Sequence, residues 1–198
     1  MARTINVGVG YGWHGEVRKD RRWKALRKFL EKVEQEALKR AESELKREGY
    51  TVSRNTADTL KKRVRIFRLR ATVGQFAWTS IKRRIDECDI LVFDITPTKS
   101  VKAGRRRRVA SRAAAKVVTP NVWLELGYAL GWKEHVFVVH AKPNGHKDLP
   151  SDLQGLIVGH VPTNSVQSDK ALRMKLMNTL RKYLVERAVG IEPMTSPV

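Results

Sequence analysis

The segment DILVFDIT, Asp89 to Thr96, most limits what this chain can fold into. Four apolar residues, Ile90 to Phe93, follow one another without polar interruption, and Asp94 comes directly after them. A strand with one face in water alternates apolar and polar residues, whereas a continuous apolar run is typical of a strand buried on both faces. Such strands belong to parallel sheets that are covered by helices on both sides. The segment therefore predicts an α/β fold.

The rest of the chain alternates between short apolar runs and longer amphipathic stretches. Residues 5–12, 63–70, 135–140 and 156–162 are predicted strands. The arginine-rich run at 63–70 is expected at a sheet edge, because charged side chains suit an exposed strand. Predicted helices occupy residues 20–48, 74–88, 119–131 and 167–188, and Gly49 is expected to end the first of them.

This order predicts a flavodoxin-like three-layer sandwich with a five-stranded, mostly parallel sheet in the order 2-1-3-4-5. In that order, ligands bind outside the carboxyl ends of the first and third strands. Those ends are residues 8–12 and 94–96. We expect a single domain over residues 1–188, interrupted by a basic loop at 97–118, and a flexible tail at 189–198.

The charge balance points to anionic partners. The chain of 198 residues has 40 Lys and Arg against 20 Asp and Glu, so its formal net charge is +20. Such an excess favours nucleotides or nucleic acid, although a solvated basic surface would give the same composition. Charge alone does not separate these alternatives.

The cysteine, the apolar runs and the histidines indicate the cellular compartment and the kinds of site to expect. Cys88 is the only cysteine, so no disulfide can form within the chain, and we expect a cytoplasmic protein. Cys88 is interpreted as a small core residue rather than a nucleophile. No run reaches the length of a membrane span. The five histidines show no metal-ligand spacing, so no metal site is expected.

The helix TPNVWLELGYALG, Thr119 to Gly131, has a single charged residue, Glu125. Asn121, Glu125 and Tyr128 share one face of the helix by their spacing. A carboxylate in apolar surroundings should have a raised pKa and act as a proton acceptor or nucleophile. The alternative is a peripheral Glu125 paired with an arginine.

The stretch Cys88 to Gly155 carries a family resemblance. Its motifs are CDILVFDITPT, then TPNVWLELGYALGWKEHVFVVH, then DLPSDLQG. They resemble the TIR-like and nucleoside 2-deoxyribosyltransferase-like group over about a third of the chain. Thr119 stands in place of an asparagine of that group's pattern and Ser151 in place of a phenylalanine, which leaves the exact substrate open.

The resemblance implies cleavage of an N-glycosidic bond in NAD or a related nucleotide or nucleoside, with no separate cofactor. In that chemistry a carboxylate faces positive charge developing at the anomeric carbon. By the match, Glu125 is the candidate catalytic residue and Asp94 a ribose or base contact, with Asn121 and Tyr128 as positioning groups. The group also tends to form oligomers and to act in defence or signalling. From the residues themselves, the backbone N–H groups of Gly8, Gly10 and Gly12 are candidates for a phosphate contact.

Two other functions fit the sequence. The domain could sense a nucleotide or bind a protein without turnover. It could also bind nucleic acid through Arg105 to Arg108 in the basic loop and through the strand at 63–70. The sequence leaves the choice between hydrolysis and base transfer open, together with the oligomeric state and the need for an activator.

Overall fold

The structure is a computed structural model that describes residues 4–12, 21–50, 52, 60, 63–70, 77–97, 120–142, 157–163 and 168–188. The predicted basic loop, apart from Pro97, and the predicted tail lie outside these residues. In chain order the elements are β1 (Ile5–Tyr11), α1 (Arg21–Arg47), β2 (Val64–Arg68), α2 (Ala77–Asp86), β3 (Ile90–Asp94), α3 (Pro120–Trp132), β4 (Val136–His140), β5 (Val158–His160) and α4 (Lys170–Ala188). None of the described helices is long and apolar enough to cross a membrane.

The five strands form one sheet in the order β2-β1-β3-β4-β5. Every neighbouring pair is parallel. The predicted flavodoxin-like order is confirmed, and so is the edge position of β2. The chain order reverses between β1 and β3, which places the expected ligand crevice beyond Tyr11 and Asp94, paired in register at the carboxyl ends of these strands.

The helices cover both faces of the sheet, and the alternation of strand side chains divides the core in two. On one face, Val9 and Val92 pack in a core built with α1 and α4. On the other face, Leu91 and Phe93 pack in a core built with α2 and α3. The uninterrupted apolar run of β3 is thus explained, because its residues alternate between two buried faces.

Helix α1 ends where the sequence predicts. Gly49 has a φ of 89°, a left-handed conformation that residues with a side chain rarely adopt. The Gly49 N–H donates to the carbonyl of Lys46, and the Tyr50 N–H donates to that of Leu45. These two bonds form a Schellman motif, which satisfies carbonyls that the helix end would leave unpaired.

Candidate functional site

Glu125 is a buried acid in an apolar helix. Helix α3 begins at Pro120 and places Val122, Leu126 and Ala129 in the core beside α2. Glu125 lies among them, and only 8% of its surface is exposed. It forms no hydrogen bond or ion pair with any other described residue. The sequence prediction of a desolvated carboxylate is consistent with this position.

The carboxylate lies against the end of β1. A Cβ atom built on Gly10 would be 3.2 Å from Oε2 of Glu125 and 2.5 Å from two ring carbons of Phe93. Gly10 therefore leaves the space in which the carboxylate sits at the carboxyl edge of the sheet. Burial raises the pKa of Glu125 from the usual 4.5 to about 7. The group can thus exist in either protonation state near neutral pH.

The other two candidate glycines have different surroundings. A Cβ on Gly8 would be 2.5 Å from Sγ of Cys88 and 3.1 Å from a methyl group of Leu91, so Gly8 lets β1 pack closely against this core. Gly12 is buried directly after β1. A phosphate contact through these glycines stays a prediction, and the structure supplies a packing reason for Gly8 and Gly10.

Cys88 belongs to the same core as Gly8. Burial raises the pKa of its thiol to about 12. Its Sγ donates to the carbonyl of Arg84 at 3.0 Å. Because the thiolate is the nucleophilic form, these surroundings agree with the interpretation of Cys88 as a core residue.

Asp94 is held by a buried arginine that sequence reasoning missed. Nε of Arg22 donates to Oδ2 of Asp94 at 2.6 Å, and Nη2 donates to Oδ1 at 2.8 Å. Both side chains are almost completely buried. Arg22 also donates to the carbonyl of Val161, just after β5. The backbone N–H and the hydroxyl of Thr96 donate to Oδ1 of the same carboxylate.

The two acids that the sequence places at one crevice lie on opposite faces of the sheet. Asp94 points toward α1, where Arg22 meets it. Phe93, the preceding residue of β3, points into the core beside α3, and Glu125 lies on that side. Successive side chains of a strand point to opposite faces, so the alternation separates the acids. Both remain at the carboxyl edge.

The two predicted positioning groups on α3 differ in placement. Asn121 is exposed in the first turn of the helix, at the carboxyl edge of the sheet. The hydroxyl of Tyr128 donates to Asp86 at 2.9 Å, and its ring packs edge-on against Trp78. Asp86 ends α2 shortly before β3 begins, at the amino edge of the sheet. The Tyr128 hydroxyl is therefore bound at the edge opposite the one where Glu125 lies. The structure does not bring the Tyr128 hydroxyl to Glu125.

Comparison with known proteins gives one distant structural similarity. No model of a protein family matches the chain, and no curated protein matches it. A mutant of a flavo di-iron protein from Thermotoga maritima is similar in structure, with a TM-score of 0.35 and 16% identity. The match covers 92% of this chain and 37% of that protein, so the chain spans little more than a third of its length.

A second cluster that sequence reasoning missed lies where β1 and β2 end. The rings of Tyr11 and Trp23 stack with their centroids 6.1 Å apart. The Arg68 guanidinium lies 4.4 Å from the Trp23 ring centre and 5.4 Å from that of Tyr11. This cluster, like the Arg22–Asp94 pair, joins α1 to the carboxyl edge of the sheet.

One sequence signal could have revealed Arg22. It precedes Leu26 by four positions, at the head of the buried stripe of α1. Trp23, the next residue and an apolar one, is only partly buried. An arginine in line with core leucines is a candidate for a buried ion pair, because burying an unpaired charge is costly.

The described residues contain no group of three His, Cys, Asp or Glu side chains arranged to hold a metal ion. Nδ1 of the buried His140 accepts from the backbone N–H of Lys142 at 2.8 Å. His160 makes a 3.1 Å hydrogen bond with the carbonyl of Ala141. These two histidines hold the ends of β4 and β5 to the chain that follows β4.

Proposed function

We propose that this protein cleaves the N-glycosidic bond of NAD or a related nucleotide or nucleoside, with Glu125 as the catalytic residue. The observation that carries the proposal is a buried carboxylate without a partner among the described residues, at the carboxyl edge where the strand order reverses. An acid in such surroundings costs folding free energy, and groups of this kind are often functional. The resemblance of residues 88–155 supplies the type of reaction.

The chemistry needs one carboxylate opposite a developing cation. As the bond between C1′ and the base nitrogen breaks, its electron pair passes to the base, and positive charge develops on the ribosyl group. The ionised Glu125 stabilises that charge or attacks C1′. Nicotinamide in NAD is cationic before cleavage, so it leaves without a proton from the protein. Water then adds to C1′ and releases a proton.

The hydrogen bonds of Asp94 limit the role that this residue has in the proposed reaction. Its carboxylate accepts from Arg22 and from Thr96, and it faces away from Glu125. We propose that Asp94 organises the carboxyl edge through Arg22. Asn121, exposed one turn before Glu125, is the better candidate for a direct ribose contact from α3.

A second candidate function is nucleotide binding without turnover. The observation that favours it is the separation of the two acids, which leaves Glu125 as the single buried carboxylate on its face of the sheet among the described residues. A site of this kind can bind a nucleotide and report its presence without breaking a bond.

One experiment separates these candidates. Purified protein at high concentration is incubated with NAD and a panel of nucleosides, and free base is followed by chromatography. The test variant is Glu125→Gln, which keeps the size of the side chain and removes its charge. The control is Glu134→Gln, which makes the same change at a side chain that is 91% exposed just after α3.

The proposal expects base release by the wild type and by Glu134→Gln, and a loss of at least about 100-fold in Glu125→Gln. Binding of NAD by calorimetry without base release from any variant would favour the second candidate. Equal release of free base by all three proteins would show that Glu125 is not the catalytic residue.

A further inference from the structure

A basic cleft lies on the face of the sheet that is remote from Glu125. It has a volume of about 290 Å³ and runs between the first half of α1 and the described residues 161–163 and 168–173, which follow β5 and lead into α4. Its floor is apolar, with Phe29, Val161 and Pro162. Its cationic lining residues are Arg21, Lys24, Lys28, Lys32 and Arg173.

Few acids offset these cations. The four cations from α1 form no ion pair with a described residue, whereas Arg27 on the same helix pairs with Glu31. Arg173 has Nε 3.5 Å from an oxygen of Glu36. Asp169, next to the cleft, accepts from the backbone N–H groups of Ala171 and Leu172 and so caps α4. The cleft thus keeps a strong positive charge.

Two of these cations, Arg21 and Lys24, lie in the first turn of α1, where they oppose local helix stability. Helix α1 begins at Arg21 and has no acid in its first turn. The N-terminal end of a helix carries partial positive charge, so cations there are unfavourable and anions are favourable. A local conflict of this kind is expected where a surface serves a ligand. An anion in the cleft would remove the conflict.

The spacing of the cations along α1 matches an extended anion with several negative charges. Lys24, Lys28 and Lys32 follow at intervals of four residues, which is about 6 Å along a helix axis. From Arg21 to Lys32 the line of charge is about 16 Å long, enough for several phosphates of a strand. The neutral polar residues of the lining are Thr163 and Ser168, which are too few to distinguish bases.

We propose that this cleft binds the phosphate backbone of a single-stranded nucleic acid without sequence preference. Its volume of about 290 Å³ and its position between two elements favour a single strand over a duplex. The strand at 63–70, where the sequence predicts nucleic-acid contacts, is less suitable than the cleft for binding phosphates, because two of its arginines have partners within the fold. Its Arg63 donates to the carbonyl of Arg187, and Arg68 stacks on Trp23.

The test measures binding of a labelled oligothymidylate of about 20 nucleotides by fluorescence anisotropy at several salt concentrations. The cleft variant combines Lys24→Gln, Lys28→Gln and Lys32→Gln. We expect its affinity at low salt to fall at least about tenfold. The slope of log K against log salt should become shallower by about 2, because each lost contact to a single strand changes it by about 0.7.

The matched control combines Lys39→Gln, Arg40→Gln and Lys46→Gln. It removes the same charge from exposed positions in the second half of α1, outside the cleft. We expect its slope to change by less than half as much. The single variant Lys28→Glu, at an exposed position, repeats the test with one substitution if the triple variant folds poorly.

Several results would overturn this proposal. They are equal losses in the two triple variants, no binding by the wild type at low salt, and a duplex that binds more tightly than the single strand. Full competition by a nucleoside triphosphate or by polyglutamate at equal charge would assign the cleft to a different anion.

Base release by the cleft variant should equal that of the wild type, since the cleft and Glu125 lie on opposite faces of the sheet.

Discussion

At the scale of single residues, Glu125 combines burial with the absence of a described partner. Burial disfavours its charged form, so the folded protein holds the proton more tightly than the unfolded chain does. The pKa is about 7 in the fold and 4.5 ordinarily. Stability from this group is therefore fully present below about pH 4.5 and is lost as the pH rises through about 7.

We accordingly expect Glu125→Gln to become more stable relative to the wild type as the pH rises. The change in the difference between about pH 4.5 and about pH 8 is on the order of 3 kcal/mol. Urea denaturation at both pH values measures it. The exposed control Glu134→Gln should show almost no such change, and a pH-independent difference for Glu125→Gln would contradict burial of the acid.

Gly10 gives the second prediction at this scale. In Gly10→Ala the added Cβ would lie 2.5 Å from the Phe93 ring, which is fully buried. Overpacking of this kind costs about 1–3 kcal/mol in the free energy of unfolding. The same atom approaches Glu125, so base release should fall as well. Chemical denaturation and the chromatographic assay measure the two effects, and a variant as stable as the wild type would contradict the close packing.

At the scale of elements, the Arg22–Asp94 pair connects α1 to β3 and, through the carbonyl of Val161, to the end of β5. In Arg22→Met the buried Asp94 loses its cation, which should cost about 3–5 kcal/mol. The double variant Arg22→Met with Asp94→Leu should recover much of this loss, because it leaves no buried charge.

The control for that prediction is Arg27→Met on the same helix. Arg27 pairs with Glu31 at an exposed position, and pairs of this kind are worth less than about 0.5 kcal/mol. Urea denaturation of the set compares the two pairs. A cost below about 1 kcal/mol for Arg22→Met would contradict the prediction that the buried Asp94 depends on this cation.

At the scale of the whole molecule, a net charge of +20 on 198 residues implies self-repulsion. We expect the thermal midpoint to rise between about 20 mM and about 500 mM NaCl, because salt shortens the range of repulsion. Differential scanning calorimetry measures the change. A falling midpoint would indicate that attractive ion pairs, such as Arg187 with Asp89, outweigh the repulsion.

Much of the fold could be predicted because its signals are local in the sequence. The continuous apolar run of β3 requires two covered faces, and the stripe of α1 has helical spacing up to Gly49. The placement of Glu125 followed from the same signals, since α3 is the next described helix after β3. The family resemblance was not needed for either result.

The sequence by itself determined the order of the elements, the parallel sheet and a lone acid in an apolar helix. These features follow from hydrophobic periodicity, which is a property of residues close together in the chain. Only the tertiary structure decided which groups meet. Arg22 and Asp94 are 72 positions apart, and the strand alternation turns Asp94 away from Glu125. The basic cleft likewise joins α1 to residues that follow β5. Contacts between distant segments depend on how helices pack across a sheet, and no local pattern records that packing.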